Sequence, residues 1–566
     1  MDAEAPLLAD TRRGLTVYYR KRHLYSTQSP IASAERRASA VSVLPHTLIL
    51  VPSPLLFYGV SVLLDRLPEA CHVLAVEADQ KLMALSIEVA GGLARDNRIT
   101  YIRTESVESV REILGGLSMA RFRRCVEVRL SGGYVLAATF YQEVFETIQG
   151  EIQAHWRNRM TLIQLSNLWV KNVFLNLPEL VHARDLGQTH VSLPIVVAGA
   201  GESLEEAIDL IRPVRNEIYL LAVDTALPTL MQSGLPPDAV FVLESQFANI
   251  EDFVSASGDL GPRPADIPVI ADLCSNPAAL RIFRRPLTLF LSEFAPSAFV
   301  ARLEEAQLSP FLIPPLGSVG IAALYCALDL SDGPVFVAGL DFSFQPGKSH
   351  ARGAPAHVGQ LRGWSRTRPP SPFLNAEGRR WVRKEDKTGR KIVTDPVLLS
   401  YHRLFEEIVE RDKRVFDIGA RGLDLGVKRC RSPRELEAII GGTWGVRPST
   451  SVLNRPGEPP ALSRARSPGL AKSKRQEAVL RFLDSELSLL QSAEGAVLAW
   501  LSSPSKEPAS FTAAAAALKE VDYVYLHFPD SPPLPSGDSG FLHRAVESID
   551  TCRSWIDRSI RRLSGG

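Results

Sequence analysis

The chain has 566 residues, 45% of them apolar and 22% charged, with a formal net charge of +1. That length allows about three or four domains with a sizeable core, and the near-neutral balance argues against a nucleic-acid partner or an acidic membrane surface. The cysteines, at positions 71, 125, 274, 326, 430 and 552, form no CxxC, so neither a zinc site nor a disulfide framework is expected.

The opening MDAEAPLLADTRRG lacks the basic start and apolar block of a secretory signal. The longest uncharged run, Ala40 to Leu64, has the length of a membrane span but is interrupted by Pro45, His46, Pro52 and Pro54. A strand (Thr47–Val51), a turn and a helix (Leu56–Leu67) fit it better. No membrane span and a cytoplasmic location are therefore expected. Residues 1–150 read as a first α/β unit, with strands at Thr47–Val51 and His72–Val76 and Glu77 at the second tip. This looks like half of a nucleotide fold, but the first turn is PSPLLFYG where a methyltransferase-like site would carry glycines, and its one glycine, Gly59, comes too late for that turn. The unit reads as a degenerate Rossmann-like domain with a structural or docking role. Phe122–Phe140 has the pattern of a hairpin around Ser131-Gly132-Gly133. Connecting helices follow over 151–190. There, Ile148–Val181 is amphipathic, with Trp156, Leu162, Leu165, Trp169 and Phe174 on its apolar face. Asn167, Asn172 and Asn176 on that helix either pack or cap a cleft.

The central domain spans 191–430. Pro194–Ala198 reads as a buried strand, broken by Gly199-Ala200-Gly201, and Ser203 opens a helix with Leu204, Ala207, Ile208 and Ile211 on one face. Glu217–Val223 is a second strand ending at Asp224 and Thr225. A helix (Leu227–Gly234) leads to a third, Ala239–Leu243, ending at Glu244. This β-α-β-α-β run predicts a doubly wound parallel sheet, whose ligands bind at the carboxyl ends of the strands. Gly199 and Gly201 would let backbone approach a ligand, and the helix start at Ser203 would offer N–H donors to a phosphate. The G-x-G-x-x-G pattern is incomplete, with Leu204 at its sixth position. A nucleotide-type ligand and a plain tight turn both fit.

Further strands are expected at Ile267–Leu273, Leu287–Leu291 and Phe311–Leu316. Gly317 and Ser318 then precede an apolar helix, Val319–Leu328. Ser318 serves there either as N-cap or as a ligand donor. Pro334–Gly339 is the next strand, with Asp341 at its tip and the polar loop FSFQPGKSHARG after it. Lys348 and Arg352 in that loop suit phosphates, and His350 suits proton transfer near neutral pH. A solvated charge cluster is the alternative. Residues 353–380 have the composition of a long mobile loop. Trp381–Val393 reads as a β-ribbon, Pro396–Val409 as a helix capped by Asp395 or Thr394, and Arg414–Ile418 as the last strand. A linker (431–472) and a helical C-terminal domain (473–566) follow, with helices at Ser473–Trp500, Phe511–Leu518 and His543–Leu563.

GAGESL, AVDTAL with PDAVFVLES, GSVGIAAL, and GLDF followed by GKSHARG stand here in the order found in the motility-associated factor (Maf) flagellin glycosyltransferases. These share a domain with the 6-hydroxymethylpterin diphosphokinase MptE-like proteins. The chain resembles that family from about Thr47 to Leu425. The resemblance implies a central Rossmann-like, sialyltransferase-like domain. It also implies transfer of a nonulosonic acid from its CMP-activated form to serine or threonine of flagellin; no residue is assigned as a metal ligand. Gly199, Gly201, Ser203, Asp224, Thr225, Glu244, Gly317 and Ser318 would then line the donor site. His350 or Lys348 would face the leaving phosphate, and Asp341, Asp224 or His350 would be the base. A diphosphokinase using ATP and Mg²⁺, bound by Asp224, Glu244 and Asp341, is the alternative. A non-catalytic scaffold is a second alternative. It is suggested by Glu202 where the family carries proline and by Glu244 where relatives carry aspartate.

Overall fold

The computed structural model describes residues 5–90, 96–254, 264–283, 287–294, 298–345, 348–367, 380–442, 472–503, 508–529 and 538–565. The chain divides into two compact units at residues 163 and 164. The first opens with an antiparallel meander that the sequence reading did not anticipate: β1 (Leu7–Thr11), β2 (Gly14–Tyr19) and β3 (Arg22–His23). A parallel sheet follows, made of β4 (Thr47–Pro52), β5 (His72–Glu77), β6 (Ile99–Arg103) and β7 (Arg124–Glu127) in the order β6-β5-β4-β7. Every residue of β4 and β5 is buried, as expected for parallel strands covered on both faces.

The hairpin expected over Phe122–Phe140 is half wrong. Its first arm is β7, which pairs in parallel with β4. Its second arm is a 3-10 turn, Gly133–Ala137, that runs into the helix Ala138–Asn176. Tyr141, Val144, Ile148 and Ile152, all buried, recur at helical spacing, and this packing outweighs the strand-like composition. The helix expected at Leu56–Leu67 is shorter, Val60–Asp65, and starts only after Gly59, at φ 81°.

The second unit holds a ten-stranded sheet in which every pair is parallel. Its strands are β8 (Arg184–Asp185), β9 (Ile195–Ala198), β10 (Tyr219–Val223), β11 (Ala239–Val242), β12 (Val269–Asp272), β13 (Thr288–Ser292), β14 (Phe311–Ile313) and β15 (Val335–Ala338), then β18 (Val415–Asp417) and β19 (Lys428–Arg429) after the intervening ribbon. That ribbon, β16 (Val382–Glu385) with β17 (Lys391–Thr394), is antiparallel as expected. The order is β14-β13-β12-β11-β10-β9-β15-β18-β19, with β8 beside β13. Alternate residues enter two cores. Phe241 lies in one, with the helices Leu204–Ile211, Val319–Leu330 and Pro396–Arg411, while Val240 and Val242 lie in the other.

The second core is shared with the C-terminal helices Lys472–Ser502, Pro508–Glu520 and Ser539–Leu563. Among its ties, Arg302 contacts the fully buried Glu486 at 2.6 Å, and Tyr523 donates to the same carboxylate at 2.9 Å. The helical segment thus packs on the sheet within one unit. Two further expectations change. The stretch 353–380 contains a helix, Pro355–Arg362, and the linker region contains another, Pro433–Ile440, capped by Ser432. Residues 368–379 and 443–471 lie outside the described residues. Among the described residues, no helix is long and apolar enough to cross a membrane.

Candidate functional site at the carboxyl ends of the strands

The chain lays down β9 to β14 in one direction and then returns to β15 on the other side of β9. The order therefore reverses between β9 and β15, the place where open parallel sheets take their ligands. The turns leaving those strands pack directly on each other. Gly199 N–H donates to Ala338 O at 2.8 Å and Gly201 N–H to Gly339 O at 2.9 Å. A Cβ on Gly201 would stand 2.6 Å from Asp341 Oδ2, and one on Gly199 would stand 2.6 Å from Gly339 O. The glycines are thus required by one turn packing on another.

Ser203 completes this contact. Its hydroxyl donates to Asp341 Oδ1, its N–H donates to Oδ2 at 2.9 Å, and Gly339 N–H donates to its Oγ at 3.2 Å. The N–H groups of Gly199, Gly201 and Ser203 are all engaged inside the protein. Asp341 is buried, and that burial raises its pKa to about 6 against the lowering effect of Ser203 and Lys387. Lys387, from the turn between β16 and β17, forms a buried ion pair with Asp417 at the tip of β18. The sequence reading placed Asp417 inside its last strand, Arg414–Ile418, and did not single it out. Lys387 has no local signature in the sequence.

The loop after β15 is tied to the same end. Ala351 N–H donates to Ala200 O at 2.9 Å, Arg352 N–H to Glu205 Oε1 at 2.6 Å, and Thr229 Oγ1 to Arg352 O at 2.9 Å. Lys348 Nζ lies 2.6 Å from Glu205 and 3.8 Å from Glu202. Arg352 reaches Glu205 at 2.9 Å, and Arg421 reaches Glu202 at 3.1 Å and Glu206 at 2.7 Å. Burial raises the Glu202 pKa. Burial also pushes Glu205 up, but its bonds to Lys348 and Arg352 outweigh that and lower it. Three carboxylates therefore occupy the positive end of the helix Leu204–Ile211, each held by a cation. His350 is partly buried, with Nδ1 3.0 Å from Ser349 Oγ. Burial, then the charge of His357, lowers its pKa, which leaves a neutral imidazole near pH 7.

The second candidate anion site is different. Gly317, at φ 68°, is exposed, and the Ser318 hydroxyl makes no capping bond. The helix it opens, Val319–Leu330, has no acidic residue in its first turn. Its first N–H groups lack intrahelical partners, as at any helix start. Gly320 lies against Leu340, which Gly199 also meets, so this helix start belongs to the same place. Of the two helix starts that the sequence offers to a phosphate, this one carries no carboxylate.

Asp224 and Glu244 stand at the next two tips. Asp224 is 2% exposed and accepts Thr225 N–H at 2.8 Å, Thr225 Oγ1 at 3.2 Å and Asn249 Nδ2 at 2.8 Å. Asn249 Nδ2 also donates to Asp252 at 2.9 Å. Burial raises Asp224 to about 6; burial and then the Asp224 charge raise Asp252 to about 7. The sequence reading did not single out Asn249 or Asp252. Glu244 is exposed and accepts Gln246 N–H at 2.8 Å. Asp341 faces Ser203 while Asp224 faces Asn249, so Asp224, Glu244 and Asp341 do not form one ligand set. Among the described residues, no group of three or more His, Cys, Asp or Glu could hold a metal ion. Asn172 and Asn176 pack, donating to the carbonyls of Ser245, Cys274, Leu273 and Ser275 at 2.8–3.0 Å. A cavity of about 630 Å³, lined by Arg184, His190, Arg215 and Tyr219 among others, lies at the opposite, amino ends of the strands.

The model of the family described as 6-hydroxymethylpterin diphosphokinase MptE-like matches residues 171–347. An uncharacterized protein of Treponema pallidum (strain Nichols) is 30% identical over 558 residues, 96% of this chain and 94% of that one. A second protein from the same source is 31% identical over 86 residues, 15% of this chain and 41% of that one. The fold is that of the MAf glycosyltransferase from Magnetospirillum magneticum AMB-1, with a TM-score of 0.53 at 14% identity, covering 99% of this chain and 91% of that one. The chain and the 30%-identical Treponema pallidum protein belong to one family, which carries an MptE-like domain within the Maf fold.

Proposed function

We propose that the protein is a glycosyltransferase that moves a nonulosonic, sialic-acid-like sugar from a CMP-activated donor to serine or threonine of flagellin in the cytoplasm, supporting flagellar assembly and motility. The observation that carries this reading is the carboxylate-free helix start at Gly317–Ser318, set at the strand-order reversal against Leu340 of the turn after β15. In this reading the donor phosphate lies on the N–H groups of that helix start. The acceptor hydroxyl attacks the anomeric carbon, the bond from that carbon to the phosphate oxygen breaks, and CMP leaves with the electron pair. The neutral His350 takes the hydroxyl proton. Lys348, already paired with Glu205, tethers the loop.

The matched family model favours a second reading, a diphosphokinase using ATP and Mg²⁺. Thermal unfolding with CMP, or with ATP and Mg²⁺, each with and without EDTA, separates the two, because a ligand raises the melting point by binding the folded state. A rise with CMP that ignores EDTA supports the transferase; a rise with ATP and Mg²⁺ that EDTA removes supports the kinase. A flat response to all of them would count against both and favour the scaffold. Within the transferase reading, His350→Ala should abolish transfer at an unchanged melting point, and full activity would remove His350 from the mechanism.

A further inference from the structure

The first unit repeats, on a smaller scale, the reversal seen in the second. Its order β6-β5-β4-β7 turns back between β4 and β7, and Glu77 stands at the tip of β5. In nucleotide-binding sheets of this order, a carboxylate at that tip takes the ribose hydroxyls, and the first turn is glycine-rich so that its backbone can bend sharply under the ligand. Here the turn after β4 bends in that way without the glycines. Ser53, Leu55 and Phe57 have φ of 48°, 49° and 55°, followed by Gly59 at 81°. Non-glycine residues seldom hold such angles, and they persist only where their surroundings fix them.

The surroundings do so. Ser53 Oγ donates to Glu77 Oε2 at 2.9 Å; Tyr141 OH and Asp79 N–H donate to Oε1 at 3.3 and 3.2 Å. Ser131 Oγ, just beyond β7, donates to Ser53 O at 2.6 Å, and any Cβ on Gly133 would collide with Ser53 Oγ. Leu55, Phe57 and Glu77 are buried. We propose that the first unit contains a nucleoside crevice which its own 53–59 turn keeps shut, the hydroxyls of Ser53 and Tyr141 occupying Glu77 in place of a ribose diol. The ligand class is a nucleoside with free 2′ and 3′ hydroxyls. This crevice is independent of the transfer site in the second unit.

The test is thermal unfolding of the full chain with adenosine and with 2′,3′-dideoxyadenosine. Ser53→Gly/Phe57→Gly substitutes glycine where φ is positive and removes both a hydroxyl and a ring from the closure. That variant should gain an adenosine-dependent rise in melting temperature that the unaltered protein lacks. The rise should be absent with the dideoxynucleoside and lost on adding Glu77→Gln. If the missing ring prevents folding, Ser53→Gly/Tyr141→Phe, which keeps the ring of Phe57, is read in the same way. A folded variant with no rise, an equal rise with the dideoxynucleoside, or a rise that survives Glu77→Gln overturns the proposal.

Discussion

Ser203 and Asp341 lie 138 residues apart in the chain, yet the serine gives that carboxylate both its hydroxyl proton and its backbone N–H. The contact binds the turn after β9 to the turn after β15, so Asp341 acts first as a strut. Its burial has a sign that can be checked. The carboxyl titrates at about 6 in the folded chain against an ordinary 3.8. Between those values the folded state keeps a proton that the unfolded chain has released. The stabilisation is therefore complete below 3.8 and is lost as pH rises through 6. Asp341→Asn should remove that decline, which is worth about 2–3 kcal/mol because each tenfold change in proton affinity corresponds to ~1.4 kcal/mol. Urea midpoints of both proteins near pH 4 and near pH 7 measure it. A wild-type decline that persists in the variant would assign it to other groups.

Lys387 and Asp417 form the other buried charge contact at this end, with side chains only 2% and 3% exposed. Lys387→Met leaves the buried carboxylate without its ion-pair partner, held only by the Gly419 N–H at 2.8 Å and the charge of Arg429, and should cost about 3–5 kcal/mol. Lys387→Met/Asp417→Leu should recover most of that loss. Urea unfolding of the two single variants and the double closes the cycle. A loss under about 1 kcal/mol in the first variant would mean that water reaches Asp417.

Asp224 and Asp252 share one amide hydrogen-bond donor group, that of Asn249. After burial, the Asp224 charge is the largest cause of the raised Asp252 pKa. Asp224→Asn should therefore bring Asp252 down from about 7 towards the ordinary carboxylate range. A ¹³C titration of the carboxyl resonances reads this directly, and an unmoved Asp252 would show that the two groups do not interact.

The central strands were legible because parallel strands covered on both faces read as short apolar runs. β9, β11, β12 and β15 are buried at every residue. The meander β1–β3 was not, since β1 is largely exposed and carries no apolar alternation. The hairpin error came from reading composition across Gly132-Gly133, where a helical period was already present in Tyr141, Val144, Ile148 and Ile152. At the site, spacing placed Gly199, Ser203, Asp224 and Asp341 at the correct strand ends. It could not say which way their polar groups turn. Whether a glycine approaches a ligand or another turn depends on Gly339, and Lys387 arrives from a ribbon far along the chain.

The core that covers one face of the sheet draws on Phe174 near its start and on Ile556 near its close, and Ser559 Oγ donates to Phe174 O at 2.7 Å across 385 positions. During synthesis the ribosome must release nearly the whole polypeptide before that face is covered. The first unit, finished by residue 163, can mature while its partner is still waiting with β11, β12 and β13 bare on one side. Nascent chains stalled anywhere in the last hundred or so residues are thus the form of this protein most exposed to aggregation, and the form for which a chaperone matters most.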